Sequence, residues 1–277
     1  NGDNGSWKSP QWLIPNNENK DKVSNYSMDF DGTDDYVNVG NQSLGITAAI
    51  SVSAWVKIPL GGTGGGGTNI RVVVAEDSAG GTARNWTMYW RGLATPYFLF
   101  AVFHTDGSAT AISSTGVVPN DGNWHHLLGT YDGTTSVNGL KLFVDGVLNV
   151  QATTGSSGLR SSPAVSPAIG SLTNGNAWFF EGNIDEVAIF DTDQSSNVAT
   201  IYNSGEPTTI SGALAHYKMG EEATFAGGVW TVPDAVGSND GTSANMTIED
   251  RIGEAPNSTN NALSLNMDFV DVVPDVP

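Results

Sequence analysis

The sequence predicts an all-β protein, an antiparallel two-sheet sandwich with one short helix. Three observations predict it. Short runs rich in Val, Ile, Phe, Tyr and Trp alternate with clusters of Gly, Asp, Asn, Ser and Thr, the pattern of strands joined by turns. Several of those runs alternate apolar and polar side chains with a period of two. Helical periodicity is almost absent from the 277 residues.

Strands are expected at 26–30, 36–39, 50–58, 69–76, 86–91, 97–105, 109–114, 124–131, 140–144, 147–153, 168–171, 179–190 and 214–219. In the third, Val52, Ala54, Val56 and Ile58 share one face, and Trp55 falls on the other with Ser51, Ser53 and Lys57. Leu140, Leu142 and Val144 form a core face. Asp145-Gly146 then makes a tight hairpin, since both residues tolerate positive φ. Asp132-Gly133 makes a similar corner after Tyr131. The helix is capped by Ser195 or Ser196. It carries Val198, Ile201 and Tyr202 at i, i+3 and i+4 and ends at Gly205, with Pro207 beyond. At about three turns it suits a lid over one end of the sandwich. The run at 61–67 lacks the Lys and helix of a phosphate loop and reads as a flexible hairpin tip.

Composition removes whole classes. Eleven Lys+Arg face 29 Asp+Glu, for a net charge of −18, and there is no cysteine. Disulfide scaffolds and thiolate zinc sites need thiols. A nucleic-acid partner needs a basic footprint. No stretch approaches the roughly 20 apolar residues of a membrane span. An aromatic content of 9% argues against disorder. A disulfide-free, acidic chain suits a virion surface or an extracellular setting, and the acidity is compatible with Ca²⁺. The chain starts at Asn1 without a charged-then-apolar leader, so any signal peptide or upstream domain is expected to be removed or to lie outside it.

Three parts are expected: an N-terminal arm at 1–24, the sandwich at 25–211 and a C-terminal arm at 212–277. Composition shifts near 205–212 towards Asn, Ser and Glu. Asp240-Gly241-Thr242 followed by Leu263-Ser264-Leu265-Asn266-Met267-Asp268 echoes the N-terminal order of Asn4-Gly5-Ser6 and then Tyr26 to Asp31. Trp7, Trp12 and Trp230 are expected to pin the arms. The 214–219 strand either closes on its own sandwich, the favoured reading, or adds to a neighbouring copy in a homo-oligomer.

Four stretches in order carry a family resemblance. They are Ser27-Met28-Asp29-Phe30-Asp31-Gly32-Thr33-Asp34-Asp35-Tyr36-Val37, then Ser51 to Lys57, then Asn123-Trp124-His125-His126 through Asp145-Gly146, and finally Phe180-Glu181-Gly182-Asn183-Ile184-Asp185-Glu186-Val187 through Tyr202. Over about residues 25–205 the chain resembles the laminin-G-like jelly roll of the concanavalin A-like lectin/glucanase superfamily. It is also similar, less specifically, to structural and fibre proteins of marine tailed phages.

The resemblance implies a structural Ca²⁺ between the opening and closing strands. By motif position Asp185 would be a side-chain ligand, with Asp31, Asp34 and Asp35 of the opening turn supplying further oxygens. The alternative is plain turn chemistry at Asp31–Asp35. Glycosidases of the superfamily present acids at i, i+2 and i+4, a pattern missing here. Asp29 and Asp31 are expected to point outward, and Asp185 and Glu186, being adjacent, to opposite faces. No catalytic residue is assigned. His125 and His126 also point oppositely, one of them packing near Trp124 or Tyr131. His104 and His216 stand alone. Trp86, Tyr89, Trp90, Tyr97 and Trp178 are the candidates for stacking on sugar rings, against the alternative that part of the group is core.

The expected function is a non-catalytic adhesion or glycan-binding module of a virion or extracellular structure. Its expected partners are cell-surface or capsule polysaccharide, other virion or surface-structure subunits, and further copies of itself in a homo-oligomer. The alternatives are a purely structural capsid decoration or tail fibre protein and, less favoured, a glycoside hydrolase.

Overall fold

The computed structural model describes residues 23–40, 43–63, 69–78, 83–175 and 177–256. Two antiparallel sheets enclose the core. One has eight strands, in the order β10 (Val147–Ala152), β9 (Leu140–Val144), β8 (Trp124–Tyr131), β3 (Ile50–Lys57), β12 (Glu181–Phe190), β1 (Ser27–Asp31) and β17 (Arg251–Ile252), with β13 (Ala215–Tyr217) also paired to β12. The other has nine, in the order β14 (Thr224–Ala226), β15 (Val229–Val232), β16 (Gly241–Ala244), β2 (Tyr36–Val39), β11 (Ala168–Ile169), β4 (Ile70–Asp77), β5 (Arg84–Arg91), β6 (Tyr97–Phe103) and β7 (Ala109–Ser113).

The alternation read from the sequence sets the layers. Val52, Ala54, Val56 and Ile58 are all fully buried between the sheets. They share that core with Trp86, Met88, Trp90, Phe98 and Phe100 of the other sheet. Each large apolar side chain so buried contributes about 1.5–3 kcal/mol. Gly129 of β8 lets the two sheets approach closely, since a Cβ there would collide with the Phe100 ring. Trp55 lies on the opposite face, as its parity requires. It stacks on Tyr202 at 5.8 Å and tilts against His126 at 5.0 Å. His126 thus packs on Trp55 and Tyr202 rather than on Trp124 or Tyr131.

The helix, α1 (Val198–Tyr202), has five residues. It is shorter than expected because Asn203 and Ser204 take φ of 48° and 61°, which unwinds the chain into a 3₁₀ turn. Asn197, not a serine, occupies the N-cap. With Leu128, Phe143, Ala188 and Phe190, Ile201 of this helix forms a second small core on the outside of the eight-stranded sheet. The Asp145-Gly146 hairpin is as expected, with φ of 51° and 76°.

The C-terminal segment joins both sheets of its own chain. β13 runs antiparallel to β12 with Val187 opposite Tyr217, β16 pairs with β2, and β17 pairs with β1. These added strands bring the two sheets to eight and nine. Trp230 is buried, and its Nε1 donates to the Thr247 carbonyl at 2.6 Å. Trp7, Trp12, most of the glycine run and the 263–268 echo lie outside the described residues. No helix among the described residues is long and apolar enough to cross a membrane.

Candidate functional site

β5 and β6 sort the candidate aromatics into two groups. Trp86, Met88 and Trp90 point inward with Phe98, Phe100 and Val102. Trp86 and Trp90 are therefore core residues and leave the sugar-binding set. Trp86 Nε1 donates to the buried Glu76 Oε2 at 2.9 Å. Alternation sends Thr87, Tyr89 and Arg91 of β5, and Tyr97, Leu99 and Ala101 of β6, to the outer face.

On that face Val72, Tyr89, Leu99 and Ser113 lie in one cross-strand row. Trp178 packs with Tyr89 on a patch of Val72, Ala75 and Leu172. Its φ of 62° is held by its carbonyl, which accepts from the Val72 N–H at 2.8 Å. Arg91 lies opposite Tyr97, and its Nη1 donates to the Tyr97 hydroxyl at 3.4 Å. Burial first, then the neighbouring Tyr97, raises the Tyr89 phenol above its ordinary value. Tyr89, Tyr97 and Trp178 are all half-buried.

Beside them runs a second row, of small side chains. Thr242, Asn38, Ala168, Ala75, Thr87, Ala101 and Ala111 are successive cross-strand partners from β16 to β7. At the strand spacing of about 4.8 Å this row spans roughly 29 Å. The Asn38 Oδ1 and Thr87 Oγ1 within it are buried without a partner among the described residues. At its β2–β16 end a cavity of about 410 Å³ is lined by Asn38, Thr242, Asp240 and residues 163–166.

The four candidate metal ligands do not form one site. Asp31 lies opposite Glu181, and Asp185 stands further along β12, about 13 Å away at roughly 3.3 Å per residue. Asp31, Asp34 and Asp35 do bring carboxylate oxygens within 4.8 Å of one another. Their bonds are those of a turn. Asp31 Oδ1 accepts from the N–H groups of Thr33 and Asp34 at 2.7 and 3.2 Å, and Asp35 Oδ2 accepts from Asp31 N at 3.0 Å. Burial opposes ionisation of Asp31, but these backbone donors outweigh it and lower its value. Burial, with the charges of Asp31 and Asp250, pushes Asp35 up to about 6.

Asp185 belongs to a different group. A β-bulge separates Asp185 from Ala188, and Glu186 within it takes a φ of 48°. The bulge turns Glu186 to the same side as Asp185, where a regular strand would oppose them. Glu221, after β13, completes a trio whose carboxylate oxygens lie within 4.8 Å of one another. Asp185 accepts from Ser24 Oγ at 2.7 Å and from the Glu186 N–H at 2.9 Å. Glu221 Oε1 accepts from the N–H groups of Asn25 and of Tyr26, the latter at 2.9 Å. Glu186 Oε2 is 2.6 Å from His216 Nε2, so His216 is not isolated. Burial, then the charges of Glu186 and Glu221, raise Asp185 well above the carboxylate range. Burial pushes Glu221 up to about 7.

The trio is the group that fits a hard cation. It offers several oxygens, and Glu186 Oε1 is buried with no partner among the described residues. Its spacing also matches that of paired glycosidase carboxyls. Asp185 is fully buried and Glu186 only 4% exposed, so no glycosidic bond can reach between them. Glu186, Glu221 and His216 were missed in the sequence because a bulge leaves no mark in the residue pattern.

A laminin G family model, described as the concanavalin A-like lectin/glucanases superfamily, matches residues 31–198. Among solved structures the chain is similar to a candidate carbohydrate binding protein from Bacteroides ovatus. That match has a TM-score of 0.58 and 15% identity and covers 84% of this chain and 61% of that one. It is also similar to a heptameric SAP-like pentraxin from Limulus polyphemus, with a TM-score of 0.50 and 11% identity, covering 77% and 94% of the two chains. At these identities the likeness is one of fold. The chain spans 61% of the length of the Bacteroides protein. No curated protein sequence matches it.

Proposed function

Because the chain belongs to the concanavalin A-like lectin/glucanases superfamily, we propose that it is a non-catalytic carbohydrate-binding module whose ligand lies on the outer face of the nine-stranded sheet. One observation carries the reading. Tyr89, Tyr97 and Trp178 stand half-buried along a row of small side chains that crosses seven strands. Aromatic faces match the C–H faces of sugar rings. The description of the Bacteroides protein supports the same reading.

The cysteine-free, acidic composition accords with an extracellular or virion-surface setting, where surface polysaccharide is the expected ligand. The superfamily's structural Ca²⁺ is part of the proposal. Asp185 would hold it, and the ion would supply charge neutralisation rather than chemistry on the sugar.

The test is binding of the full chain to a panel of acidic and neutral polysaccharides, beside Tyr89→Ala, Tyr97→Ala and Trp178→Ala. Each variant is expected to weaken binding by about tenfold, or about 1.4 kcal/mol, with no release of reducing ends by any of the proteins. Unchanged binding by the triple variant would sink the assignment of this face, and reducing ends released by the wild type would sink the non-catalytic reading.

A further inference from the structure

His125 stands at the start of β8, on the same side of the strand as the buried Leu127. Both of its ring nitrogens meet a carboxylate. Nδ1 lies 2.8 Å from Asp145 Oδ2, and Nε2 lies 3.3 Å from Asp121 Oδ1. The two acids come from different parts of the chain. Asp145 opens the β9–β10 turn, and Asp121 belongs to the loop at 114–123 between β7 and β8. Phe98 of β6 packs against the imidazole in an edge contact at 5.9 Å. The His125 side chain is 12% exposed.

This arrangement sets the charge of the ring. A carboxylate accepts and does not donate, and a neutral imidazole has a single N–H. Both contacts are hydrogen bonds only while His125 carries both protons. When one proton leaves, one ring nitrogen turns a lone pair towards a carboxylate, and that contact becomes repulsive. The Asp145 side is the one that holds. Its contact is shorter, and Asp145 is fixed further by the His126 N–H on its Oδ1 at 2.8 Å and by its own N–H on the His126 carbonyl at 2.9 Å. Asp121 is satisfied without the ring. Its Oδ1 accepts from the Asn123 N–H at 2.8 Å, and its Oδ2 accepts from Asn123 Nδ2 at 2.9 Å.

We infer that His125 is a proton-operated latch, which ties the 114–123 loop to the β9–β10 hairpin while it carries both ring protons and releases the loop when it loses one. The inference goes beyond the sugar-binding reading and does not depend on it. The loop is anchored at its start, where Ser114 bonds to the Phe98 backbone and Thr115 to Asn149. Its far end bonds to a second loop: the Gly61 N–H donates to the Asn120 carbonyl at 3.0 Å, and Asn120 Nδ2 donates to the Gly62 carbonyl at 2.8 Å. The Asp121–His125 contact therefore fixes two loops at once. Between the anchors Val118 is 56% exposed.

The titratable groups that face His125 are Asp145 from the hairpin and Asp121 from the loop, and β6 presents the uncharged Phe98 ring. Burial opposes the charge of His125, but Asp145 and then Asp121 outweigh it and raise its value above an ordinary 6.5. The latch is thus fully closed below pH 6.5 and opens as pH rises through the raised value.

The test follows the His125 ring by NMR and the amide protection of residues 116–122 by hydrogen exchange, corrected for intrinsic rates. It uses the full chain between about pH 6 and about pH 9. Loop protection in the wild type is expected to fall by about tenfold as the ring loses its proton, while protection of the 144–148 hairpin stays level. Asp121→Asn is the comparison. Its amide can accept from the protonated ring and donate to the neutral one, so the step in loop protection is expected to vanish. The His125 midpoint is expected to move down in the same variant. Asp121 is a loop residue with a side chain 31% exposed, so the variant keeps the fold. Loop protection that stays constant while the His125 ring titrates would overturn the latch. So would a ring that is neutral throughout the range, or an equal fall in protection in Asp121→Asn.

Discussion

His216 Nε2 and Glu186 Oε2 lie 2.6 Å apart in the protein interior, one on β13 and the other in the bulge of β12. The two side chains are 3% and 4% exposed. The bond joins the C-terminal segment to the central strand of the sandwich. Replacing His216 by Leu leaves Glu186 without a donor at either oxygen. Removing one partner of a buried pair costs about 3–5 kcal/mol. Urea unfolding is expected to show that loss, and His216→Gln, which keeps a donor, to show less. Equal losses in the two variants would mean that packing, not the bond, holds this contact.

Trp90 and Tyr89 are neighbours in sequence with opposite tasks. Trp90→Ala empties a fully buried site between the sheets and is expected to cost about 3–5 kcal/mol. Tyr89→Ala trims a half-buried outer residue and is expected to cost about 1 kcal/mol or less. Denaturant midpoints paired with polysaccharide binding separate the two. Trp90→Ala acts on stability, and Tyr89→Ala on binding.

His126 is wholly buried, and burial pushes its imidazole down to about 4 from an ordinary 6.5. Between those values the unfolded chain binds the proton and the folded chain does not, so stability rises with pH. The contribution of the neutral ring, about 3 kcal/mol, is present in full above pH 6.5. It is lost progressively as pH falls from 6.5 to about 4. The His126 imidazole resonance is expected to show no titration between pH 8 and 5. Thermal midpoints of His126→Gln are expected to fall less on acidification than those of the wild type.

Gly129 gives way to the Phe100 ring across the core. Gly129→Ala forces that ring to move and is expected to destabilise by about 1–3 kcal/mol. The double variant Gly129→Ala with Phe100→Leu is expected to recover part of the loss. A stability of Gly129→Ala equal to the wild type would mean that the sheets can part here without cost.

The central sandwich was legible because its strands are long and alternate. Val52 through Ile58 declared one buried face, and Asp145-Gly146 declared its turn. The strands after Tyr217 were not, since runs of two to four residues such as Thr224–Ala226 and Arg251–Ile252 carry too little alternation to read. The aromatic candidates were half legible. Parity separates Trp86 and Trp90 from Tyr89, but which side faces the core depends on the partner strand. Asp31, Asp34 and Asp35 came together because they are neighbours in the chain. Grouping Asp185 with them failed on register, which a sequence does not state. The trio that does exist depends on one irregular residue, Glu186, and on Glu221, which returns just after the next strand, β13.

The pairing of β1 with β12 also sets a timetable. Met28 must find Ile184, a partner synthesised long after it, and Ser27 must find Ile252 later still. The opening strand therefore waits unpaired until β12 is made, and the eight-stranded sheet can close only once Ile252 has followed. Topologies dominated by such distant pairings fold slowly, in about milliseconds to seconds. Until then Met28 and Phe30, buried in the finished fold, lack the strand that covers them.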